Sequence, residues 1–146
     1  MADESAALRL DNQLCFALYS TTHALTKAYA PLLERLGLTY SQYLAMLVLW
    51  EGDDITVKEL GARLFLDSGT LTPLLKRLDA AGLVRRLRDQ RDERQVRISL
   101  TEAGRGLRDR AAEVPRGIAC AIGLPLDEIL ALKAELEKLR ATLQRD

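Results

Sequence analysis

Residues 56–83, TVKELGARLFLDSGTLTPLLKRLDAAGL, read as two short helices around a turn. In the first, Val57, Leu60 and Leu64 fall at helical spacing, and Gly61 lets another backbone come close. In the second, Leu71, Leu74, Leu75 and Leu78 form an apolar stripe that leaves Ser68, Thr70, Lys76 and Arg77 on the other faces. A helix that buries one side and offers hydroxyls and cations on the other suits the DNA major groove. There hydroxyls meet base edges and cations meet phosphates. An ordinary helical hairpin has the same stripes, so the flanking sequence decides.

After the hairpin, residues 84–88 and 95–100 both suit strands, and the second alternates strictly, with Val96, Ile98 and Leu100 on one face. Between them lies DQRDER, a polar loop carrying two arginines. Two strands closing on an arginine-tipped loop beside a helix-turn-helix describe a winged helix-turn-helix. Arg91 and Arg94 at the tip are suited to the minor groove, whose negative potential favours guanidinium.

The expected fold is mainly α with a small β wing. At 146 residues the chain is expected to be one domain, 1–146. No apolar run reaches the ~20 residues of a membrane span, and the amino terminus lacks a secretory pattern, so a cytoplasmic location is expected with no membrane partner. The formal net charge is zero, but it is unevenly placed. Residues 1–55 carry three cations against seven anions, a balance of −4, whereas residues 76–97 carry eight against four, a balance of +4. Positive charge is thus gathered on the module expected to face DNA.

From 8 to 36 the pattern predicts one long helix, with Leu14, Leu18, Leu25, Leu32 and Leu36 at multiples of three or four and Pro31 bending it near its end. Such a helix would run ~42 Å, longer than a small domain needs for its own core, so part of it is expected to pack on a second subunit. Thr39 or Ser41 is placed to cap a helix over 42–50, and Ile55 to add a short strand to the wing. Pro73 leaves two starts open for the recognition helix. Either Asp67 or Ser68 caps it, or Thr72 does, with proline at the first helical position. The earlier start is expected, because Gly69 eases the clash four residues back. A helix over 102–121, kinked by Pro115, and a last one over 126–143 complete the chain. Residues 8–36 and 102–146 are read as dimerisation helices flanking a DNA-binding module at 41–100. A two-fold dimer would present two recognition helices to a pseudo-palindromic site in double-stranded DNA.

With this layout the chain resembles the MarR family of winged-helix repressors over nearly its full length. Within that family, LDSGTLTPLLKRL, the run RDERQVRISLTEAG and the early Cys15 are similar to the organic-hydroperoxide sensor branch, OhrR. The resemblance implies a homodimer that represses while reduced and leaves its operator when an organic hydroperoxide oxidises it. It also implies that Cys15 is peroxidatic, that Tyr29 and Tyr40 hydrogen-bond its thiolate, and that Cys120 resolves the sulfenic acid as an intersubunit disulfide. Asp92 would hold the wing arginine, Arg94, by an ion pair. Ser68, Thr70 and Arg77 on the recognition helix are the expected DNA contacts with Arg94, and Arg86 and Arg91 the expected phosphate contacts.

Read without the resemblance, Cys15 and Cys120 are equally small apolar core residues, and no cation lies within a turn of Cys15 on the same face. Residue 15 also lies outside the first turn of the expected helix. On a continuous helix Cys15 and Tyr29 stand ~21 Å apart along the axis, so any contact between them would come from the partner subunit. Whether oxidation ends in a disulfide or a mixed thiol adduct stays open. A repressor released by a small phenolic ligand shares the fold, and only the cysteines argue against it. No enzyme is expected, since the lone His23 sits on a helix and no nucleotide or metal motif occurs. No cofactor or metal is expected either.

Overall fold

The computed structural model describes residues 4–145. Eight helices and a three-stranded antiparallel sheet form among them: α1 (Glu4–Ala7), α2 (Leu14–Glu34), α3 (Tyr40–Glu51), β1 (Ile55–Thr56), α4 (Val57–Leu64), α5 (Ser68–Ala80), β2 (Val84–Arg88), β3 (Val96–Leu100), α6 (Glu102–Ala111), α7 (Val114–Ile122) and α8 (Leu126–Leu143). The sheet order is β1-β3-β2, with Ile55 and Arg86 both opposite Ile98. This is the mainly helical winged helix-turn-helix that the sequence predicts.

The single helix expected over 8–36 is broken. Arg9 and Gln13 are extended, a 3-10 turn spans Leu10–Asn12, and α2 begins at Leu14. The cause is local competition, because side-chain amides take backbone carbonyls there. Asn12 Nδ2 donates to Ala6 O at 2.7 Å, and Gln13 Nε2 donates to Ala7 O and Arg9 O. At its other end α2 stops at Glu34, so Leu36 lies beyond the helix. Cys15 moves into the first turn of α2, contrary to the sequence expectation.

Thr39 caps α3 in a reciprocal pair with Gln42, so α3 starts at Tyr40, two residues ahead of the expected start. The same device, Thr56 with Glu59, starts α4. At α5 the earlier start holds: Asp67 is the N-cap, its Oδ1 accepts the Thr70 N–H at 2.7 Å, and Pro73 sits inside the helix. The helix expected over 102–121 is two helices, α6 and α7. Pro115 falls in the first turn of α7, the position where its missing N–H is harmless, so the chain restarts there instead of kinking.

The core lies between α3, α4, α5 and the sheet, around Met46, Leu49, Leu60, Leu71, Leu75, Leu78 and Ile98. Gly61 permits the tight helix-turn-helix: a Cβ there would lie 2.7 Å from Leu66 O. Of the flanking helices, α6 and α7 contribute Leu107, Ala111 and Val114 to the core, whereas α2 and α8 bury little in this chain. Leu33 is the buried residue of α2, and α8 buries none, leaving Leu126, Leu130, Leu132 and Leu143 more than half exposed. Among the described residues no helix is long and apolar enough to cross a membrane, and no cluster of three or more His, Cys, Asp or Glu could hold a metal ion.

Candidate DNA-binding face and cysteine sites

The exposed side of α5 carries Ser68, Thr70, Thr72, Lys76 and Arg77, while Leu71, Leu74, Leu75 and Leu78 hold its other side in the core. Its first turn is fixed by Asp67, whose carboxyl is held below the usual carboxylate range chiefly by hydrogen bonds from Thr70. Its last turn is braced from the wing. Arg86 on β2, half-buried, donates through Nε to Asp79 Oδ2 at 3.0 Å. The guanidinium of Arg86 is thus engaged with α5.

At the wing tip, Arg94 is almost wholly exposed, and its Nε donates to Asp92 Oδ1 at 3.0 Å. Asp89 organises the turn by accepting the Arg91 N–H at 2.7 Å and an Arg97 Nη1–H at 3.1 Å. These bonds, that from Arg91 first, hold its carboxyl below the usual range. Arg97 also donates to Asp54 Oδ1 at 2.9 Å and to Asp54 O, and its carboxylate partners, Asp54 first, raise its pKa further. This bridge ties the wing to the turn after α3. The sequence reading missed it, because 43 residues separate Asp54 from Arg97 and no spacing rule connects them. Arg91 has its side chain in solvent.

Between α4, the start of α5 and the wing runs an open cleft of about 690 Å³, lined by Lys58, Phe65, Ser68, Thr72, Arg94 and Val96. Hydroxyls on one wall and cations at both edges suit a sugar-phosphate strand. A second cavity, about 640 Å³, opens between α3 and α6, lined by Tyr43, Leu47, Trp50, Arg108, Ala111 and Pro115.

Both cysteines are free and exposed, so neither is a core residue in this chain. Cys15 is the second residue of α2, at the positive end of the helix dipole. Cys120, on α7, lines a shallow groove with Leu32, Arg35 and Leu36 at the far end of α2. The ~17 residues from Cys15 to Leu32 rise ~25 Å along the axis, whereas a disulfide needs Cα atoms within about 7 Å. The two thiols of one chain therefore cannot bond to each other in this fold.

Tyr29 and Tyr40 come together, their ring centroids 4.8 Å apart, with buried Tyr43 5.9 Å from Tyr29. Burial pushes all three phenols above their ordinary value, and at Tyr29 the neighbouring Tyr40 and Tyr43 add to it. Cys15 is not near this cluster, since α2 runs unbroken for ~21 Å between residues 15 and 29. His23 packs against the edge of Tyr19, ring centroids 4.3 Å apart.

Residues 27–111 match the family described as transcriptional regulator SarA/Rot. The chain is 55% identical over 134 residues to the HTH-type transcriptional regulator TtmR of Methylorubrum extorquens, covering 92% of this chain and 69% of that protein. It is 47% identical over 138 residues to the organic hydroperoxide resistance transcriptional regulator of Bacillus subtilis, covering 94% of each. Among solved structures, reduced AbfR bound to DNA superposes with TM-score 0.80 at 39% identity over 98% of this chain and 100% of that one. AbfR is a protein of Staphylococcus epidermidis. Its disulfide-formed structure superposes with TM-score 0.65 at 37% identity over 93% and 96%. Matched over nearly its whole length, the chain belongs to the winged helix-turn-helix transcriptional regulators of the SarA/Rot and MarR type.

Proposed function

We propose that this protein is a redox-sensing repressor that binds operator DNA as a reduced homodimer and leaves it when an organic hydroperoxide oxidises Cys15. The observation that carries the reading is the separation of Cys15 from everything that would serve it. Its thiol is exposed in the first turn of α2, while the Tyr29–Tyr40 pair lies ~21 Å along the same helix and Cys120 beyond that. A second subunit brings these parts together, with α2, α6, α7 and α8 as the dimer helices and 41–100 as the DNA-binding module. The exposed leucines of α8 support that assignment. So do the relatives, one a regulator of organic hydroperoxide resistance and one solved both on DNA and in a disulfide form.

The chemistry follows in two balanced steps. The Cys15 thiolate attacks one peroxide oxygen, the O–O bond breaks, and the leaving alkoxide takes a proton to become the alcohol. Sulfur is oxidised to sulfenic acid as the peroxide is reduced. The partner subunit's Cys120 thiolate then attacks that sulfur, an S–S bond forms, and hydroxide leaves to be protonated to water. Phenolic donors from Tyr29 and Tyr40 would stabilise the thiolate by charge-assisted hydrogen bonds. The disulfide would displace α2 against α7, and with them the two α5 helices, spoiling their fit to half-sites. Each event consumes one peroxide, and cellular thiols reset the protein, so this is sensing and not turnover. On the DNA, Ser68, Thr70 and Arg77 would meet base edges and phosphates. Arg94, held by Asp92, would enter the minor groove, with Arg91 and Arg86 toward the backbone.

The test is non-reducing gel electrophoresis before and after about one equivalent of an organic hydroperoxide, with Cys15→Ser and Cys120→Ser alongside. A covalent dimer in the wild type, absent from both variants and reversed by dithiothreitol, is expected, together with lost DNA binding. A wild type that stays monomeric on the gel and keeps its DNA would sink the reading. The α3–α6 cavity would then favour release by a small phenolic ligand, to be sought by calorimetry.

A further inference from the structure

Phe65 is out of place in the helix-turn-helix. It ends α4 at φ 56° and ψ 39°, a left-handed conformation that side chains resist and that helices usually assign to glycine or asparagine. Its N–H and that of Leu66 both reach Gly61 O, the latter at 3.0 Å, so the turn closes just as a glycine cap would close it. The ring is 53% exposed and lies outside the buried core, so packing offsets the strain only in part. Neither the turn nor the core requires an aromatic residue here.

What the ring does meet is Arg140, near the end of α8, whose guanidinium carbon lies 4.2 Å from the ring centroid. That is a cation–π contact in a close geometry. Glu137, one turn earlier, is engaged by Lys133. Leu66 and Asp67 alone separate Phe65 from Ser68, where α5 begins, and Asp67 caps α5. The turn that carries Phe65 therefore sets where the first turn of α5 points. No residue of α8 is fully buried in its own chain. Its hold on the DNA-binding module through Arg140 is correspondingly consequential.

We propose that Arg140 is a positioning residue for α5. Seated on Phe65, it ties the C-terminal helix to the turn before the recognition helix, so that a displacement of α8 is carried to the end of α5 that holds Asp67, Ser68 and Thr70. The functional meaning rests on the reading above that α5 contacts DNA; the contact itself does not.

The experiment compares the full-length reduced wild type with R140Q, R140K, F65L and the double variant F65L/R140Q. Amide hydrogen exchange of the peptide over 62–71 is measured without DNA, followed by affinity for a duplex that the wild type selects from a random-sequence pool. R140Q is expected to speed exchange in that segment about two- to five-fold, R140K to restore most of the protection, and the double variant to add nothing to either single change. The selected duplex should bind more weakly in the same order. Unchanged exchange in R140Q, or additive effects in the double variant, overturns the proposal. If the wild type selects no duplex, the DNA-binding reading fails, yet the exchange data still decide the coupling.

Discussion

In the proposed mechanism the chemistry at Cys15 turns on hydrogen-bond donors, the phenols of Tyr29 and Tyr40, that must stay protonated. Burial raises the phenols, so their O–H groups persist through and above neutrality. The sign of the linkage follows. Groups whose folded value is raised contribute stability that is complete below their unfolded value, near 10, and is lost as pH rises through the folded value. Tyr29→Phe and Tyr40→Phe should each remove part of the alkaline loss of stability, seen as a flatter melting-temperature profile above about pH 10. Each should also slow the reaction of Cys15 with an organic hydroperoxide about tenfold, the worth of one hydrogen bond to a charged group, measured by loss of free thiol. A wild-type rate in both variants would remove the tyrosines from the site. These residues were nameable from the sequence only because a family pattern pointed to them. Their pairing across α2 and α3 depends on where α3 starts, and the Thr39–Gln42 capping box that moves the start to Tyr40 is a side-chain effect that apolar periodicity does not register. Cys15 shows the same blindness. Its place in the first turn of α2 is set by the Asn12 and Gln13 amides, and the leucine spacing runs straight through them.

Among the elements, the helix-turn-helix and the wing were legible because each is bounded by its own signals. Leu71, Leu74, Leu75 and Leu78 recur at helical spacing and are all buried, and the alternation of β3 puts Ile98 and Leu100 inside. What spacing could not reveal is how the wing is held. Arg97 joins Asp89 within the wing to Asp54 across the sheet, so the loop bearing Arg94 is braced from its base and not free to wander. Arg94→Ala, at an almost wholly exposed side chain, should leave the melting temperature unchanged while weakening binding to the selected duplex. Its salt dependence should shallow by about one unit of slope, the loss of about one phosphate-type contact. If binding and slope both match the wild type, the wing tip does not touch DNA. The break between α6 and α7 was illegible for a related reason: one proline is compatible with a kink or a restart, and apolar spacing does not separate the two. In the restart α7 packs closely on α2, where a Cβ at Gly117 would lie 2.7 Å from the end of the Leu32 side chain.

On the scale of the whole molecule, the chain is unfinished on its flanks. The leucines of α8 keep the apolar spacing of a packed helix but none is fully buried in its own chain, and Leu8, Leu10 and Leu14 are likewise exposed before and at the start of α2. Exposed apolar area of this kind is worth roughly 25 cal/mol per Å² once covered, so a second copy is the natural cover. Leu126→Glu with Leu130→Glu would place two charges on that face without touching the core or α5, and sedimentation should show a folded monomer in place of a dimer. In such a monomer Cys15 keeps its own first turn of α2 but loses any tyrosine pair within reach, because the pair of the same chain stays ~21 Å away. Its reaction with hydroperoxide should therefore slow at least as much as in the tyrosine variants, and the sulfenic acid that forms should persist without a disulfide, because Cys120 of the same chain is also out of reach. A monomer that reacts at the dimer's rate would place the activation of Cys15 within one chain and uncouple sensing from assembly.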